Sequence, residues 1–286
     1  MRLDNFRRFA KRWRRRLFGL YYRLRYWRRY YPADLTSGGQ VMVDMWNRNW
    51  RLMRHNRVWE QDVEEVVQAY LRPDDVLLDI GAQVGLLTSQ ASQRVGPLGS
   101  ILSFEPDPEN YVVLAGLVAR NRLDNVRLCH FGLSDSEGEI TFRRPVGSWG
   151  SFMKGQSREA LDSGFRAMDF NDFTVCCLRL DDVMDRLAIG RVDLIKIDVD
   201  GPEVSVLNGA TNTLKRFQPL VIVEASRHYA DHGFTVGDLF DLMLGLGYEL
   251  YYAQRNSKLY TKCSSPEELT IDISVRGNAV DFFAVP

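Results

Sequence analysis

A mostly parallel, doubly wound α/β sheet with an antiparallel edge is the fold class that this sequence predicts, and three observations carry it. Val76-Leu-Leu-Asp-Ile-Gly and Asp193-Leu-Ile-Lys-Ile-Asp-Val-Asp-Gly are apolar β-type runs that end in carboxylates and glycine, as parallel strands buried on both faces do. Between and after them, helical and strand patterns alternate, the signature of repeated βα units. The 286 residues, 45% hydrophobic and 26% charged, suit one large soluble domain with a substantial core.

Residues 1–31 stand apart from that body. Apolar residues at Leu3, Phe6, Ala10, Trp13, Leu17 and onward to Tyr31 alternate steps of three and four, which predicts a helix. The segment holds twelve Arg or Lys against the single acid Asp4, a balance of +11, and the rest of the chain has 25 basic and 36 acidic residues, or −11. A parallel coiled coil would set like charges against each other. An aromatic-rich basic helix lying on an anionic membrane surface fits the pattern better. Two other readings stay open: docking on the acidic body or on a partner protein, and a nucleic-acid patch, although no RNA or DNA module accompanies it. Tyr31-Pro32 and Ser37-Gly38-Gly39 break the helix, so residues 32–57 read as a linker and 58–286 as the body.

The body begins with a helix over 60–71, its Val63, Val66, Val67 and Tyr70 on one face, and Pro73-Asp74-Asp75 turns into a strand at Val76–Ile80. A helix over 86–95 ends at Gly96-Pro97, strand 100–104 ends at Glu105-Pro106, and a helix over 108–120 leads to strand 126–131. The alternation then breaks. Strands at 139–143 and 173–178 flank a segment rich in Gly, Ser and aromatic residues, which reads as a hairpin or a lid. Helix 181–187, strand 192–198, helix 203–217, strand 220–224 and helix 236–246 restore the order, and strands 248–253 and 280–285 close it with a hairpin.

Cys129, Cys176, Cys177 and Cys263 form no Cys-x-x-Cys pair, and the first three sit in strand-like surroundings, so they read as small core residues in a reducing compartment. No apolar run approaches the roughly 18 residues that span a bilayer, and the first residues lack a signal-peptide core, which places the body in the cytoplasm, with peripheral attachment at the inner membrane face through residues 1–31.

Asp79-Ile-Gly81-Ala-Gln-Val-Gly85 joins a strand to a helix, where glycines let backbone approach a ligand. It lacks the Gly-x-Gly-x-x-Gly of dinucleotide binding, and Asp79 would repel a pyrophosphate while tolerating an ammonium. Glu105, at the end of the next strand, lies where an acid accepts hydrogen bonds from two ribose hydroxyls. An adenosine with a zwitterionic amino-acid tail, S-adenosylmethionine, satisfies Asp79, the glycines and Glu105 together.

With these residues in place, the chain resembles class I S-adenosylmethionine-dependent methyltransferases, and among them the FkbM family. The resemblance rests on Val76–Thr88, Phe104-Glu-Pro-Asp-Pro108, Leu180-Asp-Asp-Val183, Ile195-Lys-Ile-Asp-Val-Asp-Gly-Pro-Glu203, Leu207-Asn-Gly-Ala210 and Pro219–Glu224, and covers about Glu60 to Pro286. Gln83 stands where the family usually has Asn, Asp200 where it has Glu, and Pro202 where Ala is common. The resemblance implies a Rossmann-like fold and O-methylation of a hydroxyl on a small-molecule or glycan acceptor.

Methyl transfer is an in-line displacement, so the protein positions two reactants and accepts the hydroxyl proton. Lys196, Asp198 and Asp200 alternate along one strand, and Glu224 ends its neighbour. Asp198 is the expected proton acceptor, Lys196 orients the acceptor oxygen or holds the carboxylates in place, and Glu224 converges with them; alternatively Lys196 and Glu224 are a buried structural ion pair and catalysis is proximity alone. Asp198, Asp200 and Glu224 have the chemistry of a magnesium site, but no metal is expected. Ser134 is an expected contact to the adenine end. His228 and His232 read as solvated loop residues, and Gly147–Phe152 as a cover over the acceptor or a surface turn.

Overall fold

The computed structural model describes residues 30–35, 39–44, 61–145, 151–153, 170–253, 260–268, 270 and 279–286. Of the helix expected over residues 1–31, all but Tyr30 and Tyr31 lies outside them, and those two are in a strand.

Residues 30–44 differ from the expected linker. Tyr30–Asp34 (β1) and Gln40–Asp44 (β2) pair antiparallel, with Leu35 N–H donating to the carbonyl of Gly39. Val41 is fully buried among Val84, Leu117 and Leu123, so this hairpin belongs to the core of the body. The glycine that suggested flexibility serves packing instead. Gly39 has φ +89°, and a Cβ there would come within 2.5 Å of Asn121 Oδ1, the atom that accepts from Gln40 N–H.

Gln61–Tyr70 (α1) precedes the first strand of the main sheet. Val76–Ile80 (β3), Leu86–Val95 (α2), Ser100–Phe104 (β4), Pro108–Asn121 (α3) and Val126–Cys129 (β5) follow as a right-hand run of parallel pairs, β3 to β4 to β5. Two short strands and two longer ones then leave the main sheet: Gly132–Leu133 (β6), Gly138–Pro145 (β7), Phe152–Met153 (β8) and Phe170–Leu178 (β9) form an accessory sheet in the order β6-β9-β7-β8. The strand expected over 126–131 therefore stops early, because Gly132 turns to pair with Cys177.

Leu180–Arg186 (α4) returns the chain to the main sheet, where Leu194–Ile197 (β10) pairs parallel with β3 on its free side. The order reverses between β3 and β10, creating the switch point at which open α/β sheets bind ligands. Glu203–Asn208 (α5) and Thr211–Phe217 (α6) replace the single helix expected over 203–217. The break is local and physical: a Cβ on Gly209 would sit 2.1 Å from the carbonyl oxygen of Ser134, and Asp181 caps the new helix by accepting from the backbone N–H groups of Asn212 and Thr213.

Leu220–Ser226 (β11) pairs parallel with β10, and Val236–Gly245 (α7) leads to Glu249–Ala253 (β12), Tyr260–Lys262 (β13) and Ala279–Val285 (β14). The eight-stranded order is β13-β12-β14-β11-β10-β3-β4-β5. β14 is antiparallel to both neighbours and inserts between β11 and β12, while β13 forms the outer antiparallel edge. Phe282, Phe283 and Ala284 are buried, which explains why so apolar a strand lies inside the sheet.

Alternate residues of the central strands feed two cores. Leu78, Ile80, Ile195 and Ile197 pack with α4–α7, whereas Leu77, Ile101 and Leu194 pack with Val63, Val66 and Val67 of α1 and Ala91 of α2. Cys129, Cys177 and Cys263 are buried and free as expected, but Cys176 is exposed because it points to the open face of β9. Among the described residues, no helix is long and apolar enough to cross a membrane.

Candidate functional site

The carboxyl ends of β3, β4 and β10 converge on one cavity of about 550 Å³. Gly81 and Gln83 come from the loop after β3, Glu105 and Pro106 from the end of β4, and Asp198 to Asp200 from the end of β10. The wall on the far side is Phe131, Gly132 and Leu133 with Phe142 of β7 and Ser151 before β8, so the accessory sheet supplies part of the enclosure.

The loop after β3 is held by its neighbours. Gly81 and Ala82 N–H both donate to the carbonyl of Phe104, and Gln83 N–H donates to Glu105 Oε2 at 2.7 Å. Gly81, with φ +81°, passes the backbone of Asp198 so closely that no side chain fits. Gly85 also has positive φ, but it faces Leu114 of α3 instead of the cavity. Its role is helix packing.

Asp79 is fully buried beneath the loop and does not line the cavity. Thr88 Oγ1 donates to its Oδ2, while its Oδ1 has no hydrogen-bond partner. Burial pushes its carboxyl up, and the Lys196 charge beside it opposes that shift.

Glu105 is buried but reaches the cavity, and its second oxygen accepts from Asp107 N–H at 2.8 Å. Desolvation pushes its pKa up to about 8, against the lowering effect of those two backbone donors. The Asn110 side chain also donates to this carboxyl, which leaves acceptor capacity for one further hydroxyl.

Lys196 lies beside Asp79 in the sheet register. Its Nζ donates to Asp198 Oδ2 at 3.1 Å and to the carbonyl of Gly81 at 3.3 Å. Lys196 thus forms an ion pair with Asp198, just beyond the end of its strand. Asp198, Asp200 and Glu224 each offer a carboxylate oxygen within 4.8 Å of the others. Such a group can accept hydrogen bonds from a polyhydroxylated molecule, or hold a hard cation.

Ser134 lies outside the cavity lining: its N–H donates to Leu178 and its hydroxyl to Asp135 Oδ1 at 3.4 Å. Phe131 to Leu133 occupy the wall expected of it, because β6 turns away one residue before Ser134. His232 closes the 3₁₀ turn Arg227–His232, outside the lining residues. Trp149 lies outside the described residues.

Sequence reasoning missed Glu203. It is fully buried at the start of α5, and its Oε1 accepts from Val199 and Gly201 N–H at 3.2 and 3.0 Å, shaping the loop that carries Asp198 and Asp200. Burial pushes its pKa up to about 8. An acid three residues after Asp200 and two after Gly201 was the available signal.

A family model described as "Methyltransferase FkbM domain" matches residues 79–250, more than half of the chain. Among curated relatives, the hexuronic acid methyltransferase AglP of Haloferax volcanii is 27% identical over 58% of this chain and 62% of its own length. The 2-O-methyltransferase NoeI of Sinorhizobium fredii is 30% identical over 53% of this chain and 64% of its own length. The 31-O-demethyl-FK506 methyltransferase FkbM of Streptomyces tacrolimicus is 26% identical over 64% and 76%. The chain thus matches a little under two thirds of the length of the first two relatives.

Proposed function

Since the chain belongs to the FkbM methyltransferase family, we propose that it transfers a methyl group from S-adenosylmethionine to a hydroxyl of a sugar, glycan or lipid-linked saccharide. One observation carries the reading: Gly81 and Glu105 line the same cavity as Asp198 and Asp200, so the two poles that a nucleoside donor and a hydroxyl acceptor need lie side by side. The bound donor supplies an electrophilic methyl group. Glu105 accepts from a ribose hydroxyl, and the buried, half-satisfied Asp79 favours a cationic tail at the loop. Asp198 takes the acceptor proton, and Lys196, hydrogen-bonded to it, keeps its carboxylate aimed.

The sugar acceptor is supported by two relatives named for hexuronic acid and 2-O-methyl transfer. The FK506 methyltransferase supports a second reading, a natural-product hydroxyl. Residues 1–31, with their +11 balance and aromatic stripe, then hold the enzyme at an anionic membrane where lipid-linked acceptors reside.

Labelled S-adenosylmethionine incubated with fractionated envelope glycans, lipid-linked saccharides and small-molecule extracts tests the reading directly. Label in a saccharide is the expected result. Label only in a small-molecule fraction would select the second reading, and donor binding without any labelled product would leave a non-catalytic scaffold.

A further inference from the structure

Arg144 belongs to the accessory sheet, near the end of β7, yet its guanidinium is buried against the N-terminus of α3, with 4% of the residue exposed. It donates through Nη1 to Asp107 Oδ1 and pairs through Nη2 with Glu109. Asp107 is fully buried, and the same Oδ1 caps α3 by accepting from Glu109 and Asn110 N–H at 2.8 and 3.3 Å. Its own backbone N–H donates to Glu105 Oε1 at 2.8 Å. A continuous chain of charged and polar contacts therefore runs from β7 through Asp107 to the carboxylate proposed for the ribose.

Both ends of that chain face the same cavity. Phe142, two residues before Arg144 and so on the same face of β7, lines it, as do Glu105 and Asn110. Replacing a buried ion pair with apolar side chains is often neutral or stabilising, so stability alone is a weak reason for a charge here. A planar fork that spans two carboxylates defines position better than an ammonium or an apolar contact does.

We propose that Arg144 is a positioning residue that couples the accessory sheet to Glu105, so that filling the cavity beside Glu105 sets where Phe142 stands in the cavity wall. The inference rests on the methyltransferase reading above. It adds a residue whose effect is transmitted through Asp107 and Glu105 and requires no contact with either reactant.

Hydrogen exchange with and without S-adenosylhomocysteine tests the coupling. In the wild-type chain the ligand should slow exchange both in the 81–85 loop and in β7. Arg144→Gln alone would leave Asp107 buried and unpaired, so it is combined with Asp107→Asn, whose side-chain oxygen can still cap α3. This double variant should melt close to wild type and keep the 81–85 protection, while the β7 protection falls by about tenfold. Arg144→Lys, which keeps the charge without the fork, should lose the β7 response likewise. A full β7 response in either variant, or none in the wild type, overturns the proposal. Absence of 81–85 protection in the wild type would overturn the donor reading itself, and the proposal with it.

Discussion

Gly81 and Asp198 are in backbone contact at the switch point of the sheet: a Cβ on Gly81 would stand 1.9 Å from the carbonyl oxygen of Asp198. The donor loop and the proposed base are therefore set by one close approach. Gly81→Ala meets both a clash and a positive φ, the latter costing about 1–2 kcal/mol by itself. The expected outcome is a lower melting temperature together with weaker S-adenosylhomocysteine binding by calorimetry; a variant that lost stability but bound normally would separate the two.

Asp198→Asn should cut kcat by roughly 10²–10⁴-fold while donor affinity changes little, because proton acceptance contributes on that scale. Single-turnover transfer with the identified acceptor is the measurement. An unchanged rate would remove Asp198 as the base and leave positioning as the whole of catalysis.

Gln83 has φ +49°, a left-handed conformation that Asn tolerates better than Gln. Gln83→Asn is expected to raise stability by about 0.5 kcal/mol, with a shift in the urea midpoint and no change in slope. Donor affinity should be retained, since the Gln83 contact to Glu105 is made by backbone N–H.

Glu105 and Glu203 are both pushed up to about 8 from 4.5 by burial. The folded state therefore keeps protons that the unfolded chain releases above about 4.5, so their stabilisation is complete below that pH and is lost as pH rises through about 8. Melting temperatures should fall between about pH 4.5 and 8 and level off above. Glu203→Gln keeps the acceptor oxygen for Val199 and Gly201 and cannot ionise, so it should flatten that slope; an equal slope would assign the effect elsewhere.

The hairpin sets where the extension can be cut. Deleting residues 1–29 should abolish flotation with anionic liposomes and leave the melting temperature nearly unchanged. Val41→Asp, which places a charge among Val84, Leu117 and Leu123, should destabilise by several kcal/mol while flotation persists. Equal flotation of the full chain and the 1–29 deletion would end the membrane proposal.

Much of the main sheet was legible because buried parallel strands and their helices write their period into the sequence: β3, β4 and β10, with Glu105 and Asp198 at the ends of the last two, follow from local pattern. The accessory sheet was only half legible. β7 and β9 read as strands, but nothing local says that Gly132 pairs with Cys177 or that β14 inserts between β11 and β12. Asp181 and Gly209 illustrate the same limit, since their partners, Thr213 and Ser134, are distant in the chain.

The sequence by itself determined the fold class, the family and the poles of the cavity, because periodicity, glycine and carboxylate at strand ends are local properties. Only the tertiary structure decided that Asp79 lies beneath the loop, that Gly85 and Ser134 lie outside the cavity lining, that Val41 of the β1–β2 hairpin packs into the body, that Glu203 holds the loop after β10, and that Arg144 pairs with Asp107. The reason is that burial, close backbone approach and charge pairing depend on segments far apart in the chain, and those distances exist only once the sheet has closed.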